Sequence, residues 1–516
     1  MNKRTVFLLI AIGVSTQVLA QDEWDALRYS RLTPGGTART QSIGGAAGSL
    51  GGDISATHVN PAGLGFFKTS EVVITPGFYF NKIQTGYLGT GNDANRSGVT
   101  LGNAGIVFGL PAHNNGKWKN MAVALNYSRL ADFNSTIKIQ GVNSSSSITD
   151  RWAEDLNNGG QPVTGDQASN GFPTGASLGY RNYLVSLAND GNYHSYVPVD
   201  QGIYQQDMVE QSGAMNEFSI GLGGNYNDQL YIGAALNFPT IRYERNRTYA
   251  EDDNTDDTGN EFSFLEYKES LKTDAVGFNA KLGLIYSPMP ALRIGLSYHT
   301  PSWYSMRDQS TANLQNDLEG FQPDPSNPIQ YPVYIESGEV NDGFPLEYEY
   351  KLRTPSRALV SLSYIFGTNA DVSKQHGFIT ADVEYVNYGG TKYNFSKGPN
   401  PQPALANSLN QVIRDTYQGA MNLRVGGELK FTVLAVRAGF SYYGSPYKQS
   451  DIDGSIKKIS GGLGYRNKGF FADLTYIHTL AWNDTYQPYI LRATNVQPAS
   501  LETTGGNVVA TIGFKF

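Results

Sequence analysis

The 516-residue chain has no cysteine and few charged side chains, and both shortages narrow its possible functions. Without cysteine it cannot form disulfides, thiolate nucleophiles, thiolate zinc sites or a bacterial lipoprotein anchor. Only 16% of the residues are charged and the net charge is −7, which excludes the basic surface of a nucleic-acid-binding protein. This composition also argues against a coiled coil, a helical bundle and a disordered acidic chain.

Signals for catalysis and metal binding are weak as well. The sequence has no Gly-x-Ser-x-Gly nucleophile elbow, and its six histidines do not have metal-ligand spacing. The acidic stretches at 251–257 and 451–454 lack a complete calcium-binding loop. We therefore predict no catalytic residue, no metal and no cofactor. A barrel enzyme that draws its catalytic groups from several strands is a minor alternative.

Long apolar runs are missing beyond the amino terminus. Residues 2–4 are Asn-Lys-Arg, residues 6–14 are mostly apolar, and residues 18–20 are Val-Leu-Ala. This order predicts a signal peptide over residues 1–20 that is cleaved before Gln21. The apolar run is shorter than the roughly 20 residues of a membrane-spanning helix, and no later run reaches 18 residues. We expect an exported chain without a membrane helix.

Glycine and tyrosine are abundant, with 58 and 33 copies, and apolar residues alternate with polar or small ones after residue 70. At the carboxyl terminus, one face carries apolar residues only: Val508, Ala510, Ile512, Phe514 and Phe516. A period of two indicates a β-strand with one apolar face. Terminal strands that end on an aromatic residue are usual in bacterial outer-membrane barrels.

About fourteen such segments occur, beginning near residues 71, 99, 118, 215, 229, 270, 291, 346, 378, 419, 432, 456, 469 and 507. Each spans about ten residues or more, enough to cross a bilayer at a tilt, whereas strands of a soluble sandwich usually span about five or six. The sequence therefore predicts an all-β protein in which residues 71–516 form a 14-stranded antiparallel transmembrane β-barrel.

The connections between the segments alternate in length. Short turns are expected near 113–117, 227–229, 287–290, 367–375, 430–431 and 466–468, and longer loops near 85–98, 133–214, 250–269, 304–345, 388–417, 446–455 and 485–506. Short periplasmic turns opposite long outer loops are typical of multi-pass proteins of the bacterial outer membrane. Near the expected membrane interfaces lie Trp118, Tyr286, Trp303 and Trp482. The second segment is irregular at Asn103, which indicates either a wall defect or an error of register.

Residues 21–70 differ from the rest because they lack alternation and are rich in small side chains. The glycines at 44–52 have neither the strand–helix context nor the lysine of a phosphate-binding loop, so close backbone packing explains them better. The segment also contains the sequence Asn60-Pro61-Ala62-Gly63. It could hang into the periplasm or fold into the barrel lumen, and its small residues favour a plug (hatch) in the lumen.

A glycine- and alanine-rich amino-terminal segment, the Asn60-Pro61-Ala62-Gly63 sequence and the strand that follows it resemble the FadL-type outer-membrane transporter family. The pair of segments at 278–286 and 292–298 is similar to the mid-barrel hairpin of that family. The resemblance implies a plug inside a fourteen-stranded barrel that takes up long-chain fatty acids or other hydrophobic molecules by passive diffusion. It also implies that the ligand leaves sideways through a gap in the wall.

An apolar ligand needs apolar side chains near the outer mouth. Two long loops supply them, and the candidates are Tyr183, Leu184, Leu187, Trp303, Tyr304 and Met306. Alternatively, these residues form the loops' own cores. Residues 404–414 read as an amphipathic helix at the mouth, with Leu405, Leu409 and Ile413 on one face.

Strand parity places Arg293 and Arg424 in the lumen as candidate partners of a ligand carboxylate. Because acidic residues share the same faces, an ion-pair network that anchors the plug is the alternative. The expected partners are a hydrophobic small molecule, outer-membrane lipid and lipopolysaccharide, with no nucleic acid, and the barrel is expected to be monomeric. Two other functions stay open: a type IX secretion cargo shuttle, and a haemin receptor that uses His58 or His299.

Overall fold

The computed structural model describes residues 23–516 apart from 113–115, 256, 324, 368–375, 397–400, 451–452 and 493. The predicted signal peptide, residues 1–20, lies outside the described residues. Among the helices described, none is long and apolar enough to cross a bilayer.

Antiparallel strands dominate the described chain. In chain order they are β1 (Glu71–Tyr87), β2 (Thr90–Pro111), β3 (Trp118–Asp132), β4 (Ser135–Asn143), β5 (Val185–Leu187), β6 (Tyr193–Ser195), β7 (Ile203–Tyr226), β8 (Leu230–Asp253), β9 (Phe264–Met289), β10 (Leu292–His299), β11 (Trp303–Asp317), β12 (Val333–Glu336), β13 (Leu346–Arg353), β14 (Arg357–Phe366), β15 (Gly377–Asn387), β16 (Lys392–Asn394), β17 (Gly419–Phe431), β18 (Leu434–Tyr443), β19 (Ile456–Asn467), β20 (Phe470–Tyr486) and β21 (Ala499–Lys515).

The helices are short and lie before the barrel or in its outer loops. They are α1 (Glu23–Arg28), α2 (Ala38–Ser42), α3 (Ala56–Val59), α4 (Ile148–Asn157), α5 (Gly165–Asn170), α6 (Ala176–Arg181), α7 (Ser337–Val340) and α8 (Pro403–Thr416), with 3₁₀ turns at Pro61–Phe66, Val199–Gln201 and Tyr388–Gly390. The amphipathic helix predicted at 404–414 is confirmed as α8.

In the described residues the strands make fourteen wall crossings, as predicted. The third, seventh and eighth crossings are each built from two consecutive strands, β3–β4, β10–β11 and β13–β14. The first strand closes the sheet by pairing with the last, from Glu71 opposite Lys515 to Gly86 opposite Ser500. Closure leaves no strand edge unpaired at this junction, as a membrane-spanning sheet requires.

The two faces of the wall have opposite character. On β21, Val508, Ile512 and Phe514 are exposed on the outside, whereas Val509 and Thr511 between them are buried. The same alternation on the other crossings puts large apolar side chains on the outer surface, among them Leu236, Val276 and Leu463. An apolar belt of this extent is stable only in contact with lipid. The protein is a β-barrel of the bacterial outer membrane.

The predicted outer loops are shorter than expected because several strands continue beyond the membrane. The loop expected at 85–98 is instead strand, and β1 joins β2 through a turn at residues 88–89. Trp303, Tyr304 and Met306 lie in β11, not in a loop. The turn expected at 430–431 lies at 432–433. These predictions were wrong because backbone pairing continues where apolar alternation stops.

A bulge in β2 explains the irregularity at Asn103. Thr75 of β1 pairs with Asn103 and Pro76 pairs with Leu101, so Gly102 has no opposite residue. The extra residue reverses the alternation, and Asn103 therefore faces the lumen, where it is fully buried. Both alternatives from the sequence hold in part, since the register changes here and the wall is irregular here.

Candidate functional site

Residues 23–70, named here the inner segment, lie inside the barrel against the inner faces of many strands. The Ala38 amide donates to Thr511 of β21 at 2.7 Å, and its carbonyl accepts from Thr475 of β20. On other sides of the wall, Asp382 of β15 accepts from the Gly48 amide at 3.0 Å and Arg357 of β14 donates to the Ser30 carbonyl. Contacts on opposite sides hold the segment across the lumen.

The Asn60-Pro61-Ala62-Gly63 sequence forms a rigid contact with the wall. The side-chain amide of Asn60 donates to the carbonyls of Gly48, Leu284 and Leu296, at 2.6, 3.3 and 3.2 Å. Its side-chain oxygen accepts from the Ala62 amide and so caps the 3₁₀ turn that begins at Pro61. One asparagine therefore ties two parts of the inner segment to β9 and β10.

Two wall glycines allow this close approach. A Cβ at Gly233 of β8 would collide with the backbone of Pro61, and a Cβ at Gly283 of β9 would collide with the Asn60 side chain. At such positions glycine is required because the other backbone occupies the space of a side chain.

A network of ion pairs connects the inner segment to the wall at the end of the lumen nearer the short turns. Arg39 lies 3.5 Å from Glu428, which also pairs with Arg437 at 2.6 Å, and Arg437 in turn pairs with Asp473 at 2.6 Å. All four side chains lie in the interior. Burial opposes ionisation of Asp53, but Arg39 and hydrogen bonds from Ser55 and Thr37 lower the pKa of its carboxyl. The mixed-sign lumen predicted from strand parity is therefore an anchoring network.

The end of the lumen nearer the outer loops is lined by apolar and aromatic side chains. Ala26, Leu27 and Tyr29 of the inner segment pack there with Tyr304 and Met306, which are 3% and 2% exposed. Helix α8 closes the cluster from outside, with Ile413 buried and with Leu405 and Leu409 packed against it. Tyr304 and Met306 were expected in an outer loop but line this apolar region from a strand. Their role in ligand binding stays a prediction.

The remaining aromatic and aliphatic candidates are separated from this region. Leu184 is buried in the core of the outer loops and Tyr183 packs against that core, whereas Leu187 is exposed on the loop surface. Trp303 faces outward and stacks on Phe278 with ring centroids 5.0 Å apart. The structure therefore does not bring the six residues together. Three of them belong to the outer-loop region, and on β11 Trp303 points to the face opposite that of Tyr304 and Met306.

The two candidate arginines also lie apart. Arg424 is buried and pairs with Glu384 at 3.0 Å, so a wall carboxylate already occupies it. The Arg293 guanidinium lies 4.5 Å from the ring centroid of Phe66, and Phe66 itself stacks on Tyr231. Arg293 thus contacts the end of the inner segment through a cation–π interaction.

A gap in the wall lies between the second and third crossings. The β2–β3 ladder runs from Pro111 opposite Asn120 to Asn103 opposite Ser128 and stops there. Among the described strands, no backbone ladder joins residues 90–101 to β4. Instead, β4 lies on the lumen side of β1. The Asn81 side-chain amide donates to the Asn134 carbonyl at 2.7 Å, and the Thr85 hydroxyl donates to the Lys138 carbonyl at 2.6 Å.

The inner segment fills the lower end of this gap. The Thr33 amide donates to the Leu130 carbonyl at 3.0 Å and the Gly35 amide donates to the Arg129 carbonyl at 2.9 Å. A Cβ at Gly35 would lie 3.7 Å from the Cα of Gly102, the bulge residue of β2. Thr33–Gly35 therefore takes the place that a strand would hold between β2 and β3.

A cavity of about 320 Å³ begins behind these residues and crosses the lumen to β18–β20. Its lining includes Pro34, Gly102, Arg129, Lys458 and Trp482. Sequence reasoning missed Thr33–Gly35 and Gly102. A Pro-Gly-Gly run at 34–36 is the only local signal of special backbone there, and it does not say which strand it meets.

Comparison with known proteins supports the fold. No protein-family model matches the chain, and no curated protein matches it. Among solved structures, a FadL homologue from Pseudomonas aeruginosa is similar, with 13% identity, a TM-score of 0.55, and coverage of 94% of this chain and 99% of that chain. The toluene transporter TodX from Pseudomonas putida has 13% identity and a TM-score of 0.48, with coverage of 94% of this chain and 98% of that chain.

In the described part of this chain, the strands form fourteen crossings with an apolar outer belt, and the amino-terminal segment lies within the lumen. This chain therefore shares the fold of the P. aeruginosa FadL homologue.

Proposed function

We propose that this protein moves hydrophobic small molecules across the outer membrane by passive diffusion, with the inner segment acting as the plug. The observation that carries the proposal is the wall gap between β2 and β3–β4, which Thr33–Gly35 fills from inside. A gap into the lipid layer lets an apolar molecule leave sideways without crossing water, and only apolar molecules gain free energy from that exit.

The apolar region at the mouth is the proposed entry. Tyr304 and Met306 lie there beneath α8, together with Tyr29 of the inner segment. A ligand bound among these side chains would compete with α1 for the same apolar surface. We propose long-chain fatty acids as the ligand class, in keeping with the FadL-type resemblance.

Two steps of the route therefore depend on the inner segment. Its amino-terminal part occupies the entry region, and Thr33–Gly35 occupies the exit. Because the two parts are joined by only a few residues, displacement of α1 would pull on the two backbone hydrogen bonds to Leu130 and Arg129. This coupling supports a plug that shifts when a ligand enters.

The absence of cysteine permits a direct test with Gly35→Cys/Gly102→Cys. The two positions lie within disulfide reach, and the bond would hold Thr33–Gly35 in the gap. Oleate uptake is measured in cells that lack their own fatty-acid transporter, before and after reduction. We expect uptake by the wild type, little by the oxidised double variant, and recovery on reduction, with each single cysteine variant as control.

Equal uptake by the oxidised and reduced double variants would place the exit elsewhere. If the wild type moves no oleate but moves an aromatic hydrocarbon, the fatty-acid class is wrong and the route stands. The secretion-shuttle alternative predicts a stoichiometric protein partner after gentle extraction, with no uptake of either compound. The haemin alternative predicts haemin binding that is lost in a His58 variant, because His58 borders the cavity of about 320 Å³, whereas His299 lines only a smaller cavity of about 50 Å³.

A further inference from the structure

Three cations stand close together on the outer surface of the wall, away from the lumen. Lys351 and Arg353 lie on the outward face of β13, and Lys392 is the first residue of β16. All three residues are exposed. Arg353 lies directly opposite Lys392 in the ladder between the two strands, a position in which Cβ atoms are about 5 Å apart. We call these three residues the basic patch.

On the β13 side, one carboxylate comes near the basic patch. Glu349 stands on the same face as Lys351, two residues earlier. It lies directly opposite Arg307 of β11, and Arg307 also pairs with Glu347 at 2.8 Å. Residues 350–366 contain no carboxylate. Glu349 is therefore shared between Arg307 and the patch.

On the β16 side, the carboxylates nearest in the chain do not reach the outer surface. Asp382 and Glu384 are buried in the lumen, and residues 385–414 contain no carboxylate. Asp415, in the last turn of α8, accepts hydrogen bonds from Gln411. Two positive charges of the basic patch therefore remain in excess even when Glu349 is assigned wholly to it.

The other cations of this surface have partners. Arg242, Lys268 and Arg307 each form an ion pair with a carboxylate, whereas among the described residues none of the three cations of the basic patch does so. Like charges directly opposite each other on neighbouring strands destabilise a sheet. The pairing of Arg353 with Lys392 therefore opposes folding, unless an anion from outside the chain bridges them.

The basic patch lies where the apolar belt ends. On its other side, Arg353 is opposite Trp303, whose ring stacks on Phe278, and aromatic side chains of a barrel wall collect at the membrane interface. Towards the short turns, the outward side chains of β14 and β15 are apolar and exposed, among them Val360 and Val383. The patch therefore stands at the level of the lipid headgroups on the side of the outer loops.

We propose that the basic patch binds a phosphate of lipid A, the phosphorylated and acylated disaccharide that anchors lipopolysaccharide in the outer leaflet. Arg353 suits this group because a guanidinium can donate two hydrogen bonds to one phosphate. Lys351 and Lys392 supply further positive charge on either side of it. The acyl chains of the same lipid would lie against the apolar belt at Val360 and Val383, so one molecule satisfies both surfaces.

Native mass spectrometry of the full chain tests this proposal. The protein in neutral detergent is incubated with lipid A, and we expect a lipid A adduct that survives removal of the micelle. Lipid A stripped of its phosphates should bind about tenfold more weakly or less, because the cations then lack a counter-charge. Equal binding of the two lipids would overturn the proposal, since acyl contacts alone would explain it. Displacement of lipid A by inorganic phosphate would overturn it too, because the occupant would then be a free anion.

Removal of the patch provides the second test. Lys351→Gln/Arg353→Gln/Lys392→Gln should weaken lipid A binding by about tenfold or more, because each cation near a lipid surface contributes to the attraction. The exposed positions make this variant compatible with folding, which heat-modifiable migration checks. Binding as tight as that of the wild type would contradict the proposal.

A matched control removes the same number of charges elsewhere. Lys82→Gln/Arg242→Gln/Lys268→Gln changes three cations that have carboxylate partners. Lipid A binding by this variant should remain that of the wild type. An equal loss in the control and in the patch variant would mean that net charge and not the basic patch attracts the lipid.

The single variant Lys392→Gln separates binding from a structural role. It relieves the repulsion with Arg353, so in detergent without lipid A its unfolding midpoint should be equal to or higher than that of the wild type. Its affinity for lipid A should nevertheless fall several-fold. A lower midpoint with unchanged affinity would assign Lys392 to folding and overturn the proposal. Oleate uptake enters none of these tests, so this inference and the proposed transport function succeed or fail separately.

Discussion

Single glycines in the wall decide how closely the inner segment approaches the strands. Gly233 and Gly283 face the Asn60–Pro61 backbone at distances that leave no room for a methyl group. Gly461, by contrast, faces outward, and a Cβ there would meet its nearest atom at 3.8 Å. The many glycines of the sequence therefore differ in structural importance: some are required for close packing and others are not.

Gly233→Ala is expected to destabilise the protein by about 1–3 kcal/mol, because the added methyl group overpacks the contact with Pro61. The measurement is denaturant unfolding of the barrel in lipid vesicles. Gly461→Ala is the matched control and should be neutral or slightly stabilising, since its methyl group has space and the unfolded chain loses entropy. An equal loss in both variants would refute the close-packing argument.

His58 gives the inner segment a pH dependence. Burial and nearby positive charge lower the pKa of the folded-state imidazole to about 3, whereas an unfolded histidine titrates near about 6.5. Below that value the unfolded chain binds a proton that the folded chain does not. The contribution of the neutral His58 to the free energy of unfolding is therefore fully present above about pH 6.5 and is lost as the pH falls towards 3.

We expect this loss to reach up to about 1.4 kcal/mol per pH unit for one proton. His58→Asn retains a side-chain group able to bond Ser128, which lies 3.3 Å from the His58 Nδ1, but it does not titrate. The difference between the two unfolding free energies should shrink or reverse from pH 7 to pH 4. Parallel pH profiles for the two proteins would rule out this role for His58.

Helix α8 shows how an element can be predicted from its own residues. Leu405, Leu409 and Ile413 recur at a spacing of four, and Pro403 stands in the first turn, where it is tolerated. The surface that α8 covers was not predictable, because Tyr350, Tyr393 and the inner segment come to it from distant parts of the chain.

Ile413→Ala is expected to cost about 2–5 kcal/mol locally, since the side chain is fully buried in the upper cluster. The helix should then detach more often, and trypsin should cleave faster after Arg414 in the folded barrel. Asn407→Ala, on the exposed side of the same helix, should leave the cleavage rate unchanged. Equal rates in the wild type and Ile413→Ala would mean that α8 is not held by this contact.

At the scale of the whole molecule, the barrel and the inner segment act together. A wall of fourteen strands encloses a wide lumen, which the inner segment occupies through contacts on opposite sides. The charged side chains that face it, including Glu428 and Arg424, would otherwise line a water-filled channel.

Removal of residues 23–66 is therefore expected to convert the barrel into an open pore. Planar bilayer recordings should show a stable ion conductance for the shortened chain and no steady conductance for the intact one. Arg39→Ala/Asp382→Ala, which removes two of the anchors, should give brief openings. If the shortened barrel folds yet stays closed, the outer loops and not the inner segment block the lumen.

The strand faces were predictable because alternate residues of each membrane-spanning strand point to the lipid and to the lumen. This rule places Lys281, Arg293 and Arg424 inside from sequence alone. It fails at Trp303, Tyr304 and Met306, where the chain continues as strand beyond the expected end. It fails also near Gly102, because a single bulge residue shifts the alternation and leaves no mark in composition.

The sequence by itself determines the barrel, its fourteen crossings, the sidedness of its faces and the separate character of residues 21–70, because each follows from local periodicity or composition. Only the tertiary structure decides that Thr33–Gly35 fills a gap beside β3, that Glu384 joins two arginines and that Gly233 meets Pro61. Those contacts join residues far apart in the chain, and their geometry depends on how the whole wall closes around the inner segment.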